Sequence, residues 1–167
     1  EYAPYKGVLL REAGEKIALE TIRHHRLIEL YLSEALGYSW DTVDAEAERL
    51  EHAISEEFEE RIDRILGYPT IGAHGEPIPD KNGQIKEQTY ARLSEIDRGQ
   101  RAVVKRVSDR DPAMLRYMDD MGVQLNTVVE VCEKAPFKGP LTLLIEADQP
   151  RTLGLEVARH IFVDLVG

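Results

Sequence analysis

From residue 12 onward, apolar positions return at helical spacing. Ile17, Ile22, Ile28, Leu32 and Leu36 form a stripe that predicts one long helix over 12–36, with Gly37 as the residue that stops it. A second stripe, Val43, Ala47, Leu50 and Ile54, predicts a helix entered at Asp41 as N-cap, with Asp44 in its first turn. Ser55 then offers a fresh N-cap for a third helix carrying Phe58, Ile62 and Ile65 inward, and Gly67 and Pro69 end it. Ahead of the helices, EYAPYKGVLL reads as the remainder of a hairpin. Its Val8, Leu9 and Leu10 are strand-like, and Pro4 and Gly7 mark turns.

Past residue 66 the period changes. The stretch GYPTIGAHGEPIPDKNGQIKEQ is a Gly/Pro/polar connector over 67–88. Short apolar runs follow at 102–107, 128–132, 141–145 and 161–166, the lengths expected of strands. Between the first two lies DPAMLRYMDDMG, a short helix with Asp111 as cap, Pro112 at its first position and Gly122 beyond its end. Short strands around one small helix predict a small barrel. The fold class is therefore α+β, an all-helical domain followed by a small β-barrel.

Composition narrows the function. At 43% hydrophobic residues, the chain of 167 has enough apolar side chains for one domain or two small ones. With 31 acidic against 21 basic residues the net charge is −10, which repels phosphate but suits hard divalent cations. Cys132 is the single cysteine, so no internal disulfide can form, as expected of a reducing cytoplasm. No apolar run is long enough to cross a bilayer. The first residue is Glu1, not Met, so a preceding N-terminal portion is expected. No nucleophile elbow, persuasive Cys–His pair or Gly-rich phosphate loop argues for catalysis.

Two clusters carry candidate chemistry. His25 and Glu29 stand four residues apart and share a helix face. On the second helix Asp44, Glu48, Glu51 and His52 follow at intervals of 4, 3 and 1, with the last three turned away from the apolar stripe. Carboxylates with one imidazole suit Mn²⁺ or Fe²⁺ better than Zn²⁺. The run AEAERLEHAISEEFEER also has ordinary surface charge pairing, so spacing alone leaves a solvated face open. His25, beside His24, could equally be a satisfied, partly buried histidine.

The strings RHHRLIELYL, DAEAERLEHAISEE and AHGEPIP resemble the dimerisation and metal-binding domain of the diphtheria toxin repressor family, iron- or manganese-dependent bacterial repressors. RAVVKRVSDRDPAMLRYMDDMG and LGLEVARHIFVDL resemble the SH3-like (FeoA-like) domain that some members carry. EYAPYKGVLLREAGE resembles the end of the wing of the family's winged helix-turn-helix head. The resemblance thus implies a wing remnant over 1–10, a helical dimerisation and metal-binding domain over 11–70, a linker over 71–90 and an SH3-like domain over 91–167.

It also implies ligands. Glu48, Glu51 and His52 match the primary, regulatory metal site, and His25 and Glu29 match a further site. Iron-type members have cysteine where Glu48 stands, so Glu48 is the manganese-type choice, a hard oxygen in place of a soft sulfur. Asp44 stands where iron-type members have a histidine. His74 matches the histidine of a C-P-H-G loop, although Gly72 replaces its cysteine and cannot ligate. Asp109 lies near an acidic ligand of the SH3-like domain. The implied protein is a cytoplasmic, homodimeric repressor, not an enzyme, with no membrane partner. It would bind Mn²⁺ (or Fe²⁺), reach operator DNA through the missing N-terminal head and control manganese or iron homeostasis. The alternative is a metal-binding or purely structural dimerisation module with no DNA role. Leu32, Leu36, Phe58, Ile62 and Ile65 are candidates for a dimer surface.

Overall fold

The computed structural model describes residues 2–3, 7–8, 11–86, 88–108 and 111–166, and the chain divides into two compact units. The first holds Glu1–Tyr38, Val43–Ala73 and Pro77–Glu87. It opens on a two-stranded antiparallel ladder, β1 (Tyr2–Ala3) with β2 (Gly7–Val8). Leu9 and Leu10, expected in the strand, lie outside the described residues.

Helix α1 spans Glu12–Leu36, as the apolar stripe predicts. It stops because Gly37 takes the left-handed conformation, φ 73°, which costs glycine nothing. The stripe itself is only half inward. Ile28 and Leu32 are buried, but Ile17 and Leu36 are 64% and 57% exposed. Helix α2 is shorter than its stripe suggests, Val43–Leu50. Asp41 does not cap it. Its carboxylate instead pairs with Arg116 at 2.8 Å in the second unit, where both residues belong, and that guanidinium, then the Ser39 hydroxyl, holds the Asp41 pKa below its ordinary value. Val43 and Ala47 pack on Ile28 and Leu32, with Leu50 and Ile54 at the margin.

Helix α3, Glu56–Ile65, begins as expected, the Ser55 hydroxyl accepting from the Phe58 amide. Only Ile62 of its three predicted inward residues is buried. It meets Leu27 and Ile78, while Phe58 and Ile65 are 45% and 69% exposed. Of the candidate dimer-surface residues, Leu32 and Ile62 are therefore core of their own unit, and Leu36, Phe58 and Ile65 are the exposed ones. No described helix is long and apolar enough to cross a membrane.

The second unit gathers Ser39–Thr42, His74–Glu76 and Gln88–Gly167. Its strands are β3 (Ala91–Arg92), β4 (Arg101–Val107), β5 (Val128–Lys134), β6 (Leu141–Ile145), β7 (Pro150–Leu153) and β8 (Ile161–Val166). They form one antiparallel sheet in the order β3-β8-β4-β5-β6-β7. Strict alternation in β6, with Leu141, Leu143 and Ile145 buried, gives the sheet one apolar face. Register shifts at Val104/Arg106 and Val131/Glu133 bend it around that face. Helix α4 (Pro112–Asp120) starts as predicted, Asp111 accepting from the Ala113 and Met114 amides. It adds the buried Leu115 and Met118 to the core, and α5 (Leu155–Ala158) adds Ala158. Trp40, encoded between α1 and α2, packs on this core. Strands β3 and β7 and helix α5 were not foreseen; each is only two to four residues long, too short for a period to show.

Candidate metal centre

Three sequence-predicted residues come together in the first unit. His25 and Glu29 lie one turn apart on α1, and Asp44 sits in the first turn of α2. Packing of Val43 and Ala47 on α1 carries Asp44 there. His25 Nε2 is 3.6 Å from Glu29 Oε1 and 3.3 Å from Asp44 Oδ1. Each of the three offers a ligand atom, all within 4.8 Å of one another. Glu29 is 1% exposed, so its charge needs a partner close by.

The other ring nitrogen has a different role. His25 Nδ1 is 2.7 Å from Glu51 Oε2. In the neutral ring the Nδ1–H donates to Glu51, which leaves the Nε2 lone pair facing Glu29 and Asp44. This is the tautomer a metal ligand needs, fixed by a carboxylate behind it. Burial opposes protonation of His25, but hydrogen bonds and charge from Glu29, then Glu51, outweigh it and push its pKa up to about 9. Without a cation, the imidazolium itself answers the carboxylates. Two hard oxygens and one imidazole nitrogen fit a divalent ion of the Mn²⁺ or Fe²⁺ kind, which would take that proton's place.

Glu48, Glu51 and His52 do not share a helix face. Because α2 ends at Leu50, Glu51 and His52 fall in the turn after it, and Glu48 stays on the helix, exposed. Glu51 faces back to His25, and its Oε1 is 3.2 Å from Nε2 of His52, whose side chain is 73% exposed. The two sites read separately from the sequence thus touch through the Glu51–His25 contact.

His74 belongs to the second unit and is fully buried. Its Nε2 is 2.9 Å from the Trp40 carbonyl, its ring stacks on Trp40 with centroids 5.4 Å apart, and its carbonyl accepts from the Val107 amide. Gly75 lets this loop lie against β4, since a Cβ there would stand 2.2 Å from the Lys105 carbonyl oxygen. Asp109 lies outside the described residues.

A charged network beside the cluster was missed. Arg23 bonds Glu59 at 2.6 Å, Asp63 at 2.7 Å and the Pro79 carbonyl at 2.8 Å. The His24 ring lies 3.1 Å from Glu59 and 3.2 Å from the Glu51 carbonyl. Glu59 and Asp63, which read as surface charge, are 9% and 4% exposed. Their four-residue spacing was the available signal, but the same spacing marks solvated pairs such as Glu57–Arg61.

A helical unit with a carboxylate–imidazole cluster, in one chain with a small antiparallel sheet, is an arrangement suited to a metal-binding protein. Residues 11–80 match the family described as iron dependent repressor, metal binding and dimerisation domain, and residues 91–165 match the FeoA domain. The chain is 32% identical over 169 residues to the iron-dependent repressor IdeR of Mycobacterium tuberculosis, covering 94% of this chain and 73% of that protein. It resembles a solved manganese-dependent transcriptional repressor in complex with manganese, at TM-score 0.89 and 38% identity over 95% of this chain and 76% of that one. The solved manganese regulator SloR matches at TM-score 0.79 and 31% identity, over 98% and 75% of the two chains. The chain belongs to the diphtheria toxin repressor family of metal-dependent transcriptional repressors.

Proposed function

We propose that this chain is the metal-sensing body of a homodimeric, cytoplasmic repressor that governs manganese or iron homeostasis. The observation that carries the reading is the convergence of His25, Glu29 and Asp44 within 4.8 Å, from two helices, with Glu51 behind the imidazole. These residues would hold Mn²⁺ (or Fe²⁺), with Glu48 and His52 as candidates for a second position and His74 and Asp109 as further candidate ligands. When bound, the ion supplies concentrated positive charge. Glu29 and Asp44 bind it, His25 presents Nε2 to it, and Glu51 keeps the Nδ1 proton. Domain bounds of 11–70 for the sensing helices and 91–167 for the SH3-like domain accompany this reading.

Repression follows if the metal-loaded arrangement is the one competent for DNA; a ligand with no preference between arrangements shifts nothing. Operator DNA would be read by a winged helix-turn-helix on the same polypeptide, in a dimer that matches a palindromic site. The chain's net charge of −10 gives no affinity for phosphate of its own. Family membership favours a regulator over an enzyme.

The test is a calorimetric Mn²⁺ titration of the chain and of its Glu29→Ala and Glu51→Ala variants, repeated with anaerobic Fe²⁺. Saturable binding should be lost in Glu29→Ala and weakened about 10–100-fold in Glu51→Ala, as for a group that orients a ligand. A parent that binds neither ion would mean either that ligands from the N-terminal head are indispensable or that the module is purely structural, which a titration of the intact gene product would decide.

A further inference from the structure

Ser33 lies on α1 one turn beyond Glu29, so His25, Glu29 and Ser33 form a single row at four-residue intervals. Its Oγ is shielded from water and has no hydrogen-bond partner among the described residues. That is an unusual state for a helical hydroxyl, which ordinarily bonds the carbonyl four residues back. Thr21, on the same helix, does so, its Oγ1 donating to the Ile17 carbonyl at 3.1 Å. Ser33 thus makes no such bond, and its shielded hydroxyl sits on a half-buried residue in the row of cluster residues. A buried polar atom left this way calls for a reason beyond packing, since alanine would fill the same space without the cost.

Helical side chains lean toward the N-terminus, so Ser33 covers the turn that carries Glu29. Glu29 is 1% exposed, and a ligating carboxylate is normally supported by hydrogen bonds from outside the metal's own shell. We propose that Ser33 is a positioning residue for the metal centre, its hydroxyl donating to the Glu29 carboxylate and orienting it for a divalent cation shared with His25 and Asp44. This rests on the metal-sensor reading above. Ser33 touches no metal in this role; it acts through Glu29.

The test compares the parent chain with Ser33→Ala and Ser33→Thr, by Mn²⁺ calorimetry and by thermal unfolding of the metal-free proteins. Ser33→Ala should bind Mn²⁺ about 10–100-fold more weakly, with an unchanged or higher metal-free melting temperature, because the hydroxyl leaves no bond behind when the metal is absent. Ser33→Thr, which keeps the hydroxyl, should stay close to the parent. Equal affinity of Ser33→Ala and a Mn²⁺-binding parent would overturn the proposal. So would an affinity loss shared by both variants and matched by a lower metal-free melting temperature, which is the mark of packing alone. A parent that does not bind Mn²⁺ would sink the sensor reading itself, and this inference with it.

Discussion

His25 has a carboxylate at each ring nitrogen, and that arrangement has a pH signature. Its pKa is raised to about 9, so the folded, metal-free protein holds the proton more tightly than the unfolded chain does. The resulting stabilisation is complete below the ordinary 6.5 and drains away as pH climbs through about 9. Urea unfolding of metal-free protein should therefore show stability falling between about pH 6 and about pH 10, and Glu51→Gln should flatten that fall. A profile indifferent to Glu51 would assign the raised pKa to Glu29 alone. The same residue shows what the sequence could tell. His25 and Glu29 were legible because both lie on one helix, where spacing fixes direction. Glu51 was legible as a cluster residue but not as the partner of His25. That contact spans 26 positions and depends on α2 ending at Leu50, which no capping residue announces.

Between elements, Arg23 ties α1 to α3 and to the Pro79 carbonyl. Arg23→Met would leave Glu59 and Asp63 buried without their cation. It should cost about 3–5 kcal/mol by chemical denaturation, as breaking one side of a buried pair does. Arg61→Met, on the exposed face of α3, should stay within about 0.5 kcal/mol of the parent. In the sheet unit, Gly75→Ala would force a Cβ to 2.2 Å from a β4 carbonyl at a φ of 92°. A loss of about 2–4 kcal/mol is expected, read by thermal unfolding. Elements with strong periods or caps were legible: α1, the Ser55 and Asp111 helix starts, and strands β4, β5, β6 and β8. The connector was not. Ile78 and His74 are buried there, yet nothing in a Gly/Pro-rich string distinguishes a packed loop from a solvated one, because Ile78 is covered by Leu27 and Ile62 and His74 by Trp40, all distant in sequence.

For the whole molecule, a bound dication offsets part of the net charge of −10. Binding a dication only in the folded state should stabilise it by about 2.7 kcal/mol at a free Mn²⁺ concentration 100 times Kd. Thermal unfolding should rise with added Mn²⁺ and return to its starting value with chelator. The two-part, α+β organisation was legible from the change of hydrophobic period near residue 66. The way the chain is shared between the parts was not, because Ser39–Thr42 and His74–Glu76 join the second unit although segments of the first flank them in sequence.

That sharing has a consequence during synthesis. The chain's single tryptophan, Trp40, is synthesised well before the strands of the core it packs on, the last of which is β8. At about 5–20 residues per second, Trp40 must wait several seconds for its neighbours. The loop that carries it thus stays unpacked until the strands arrive, and Trp40 emission should shift only once the last strand has been released.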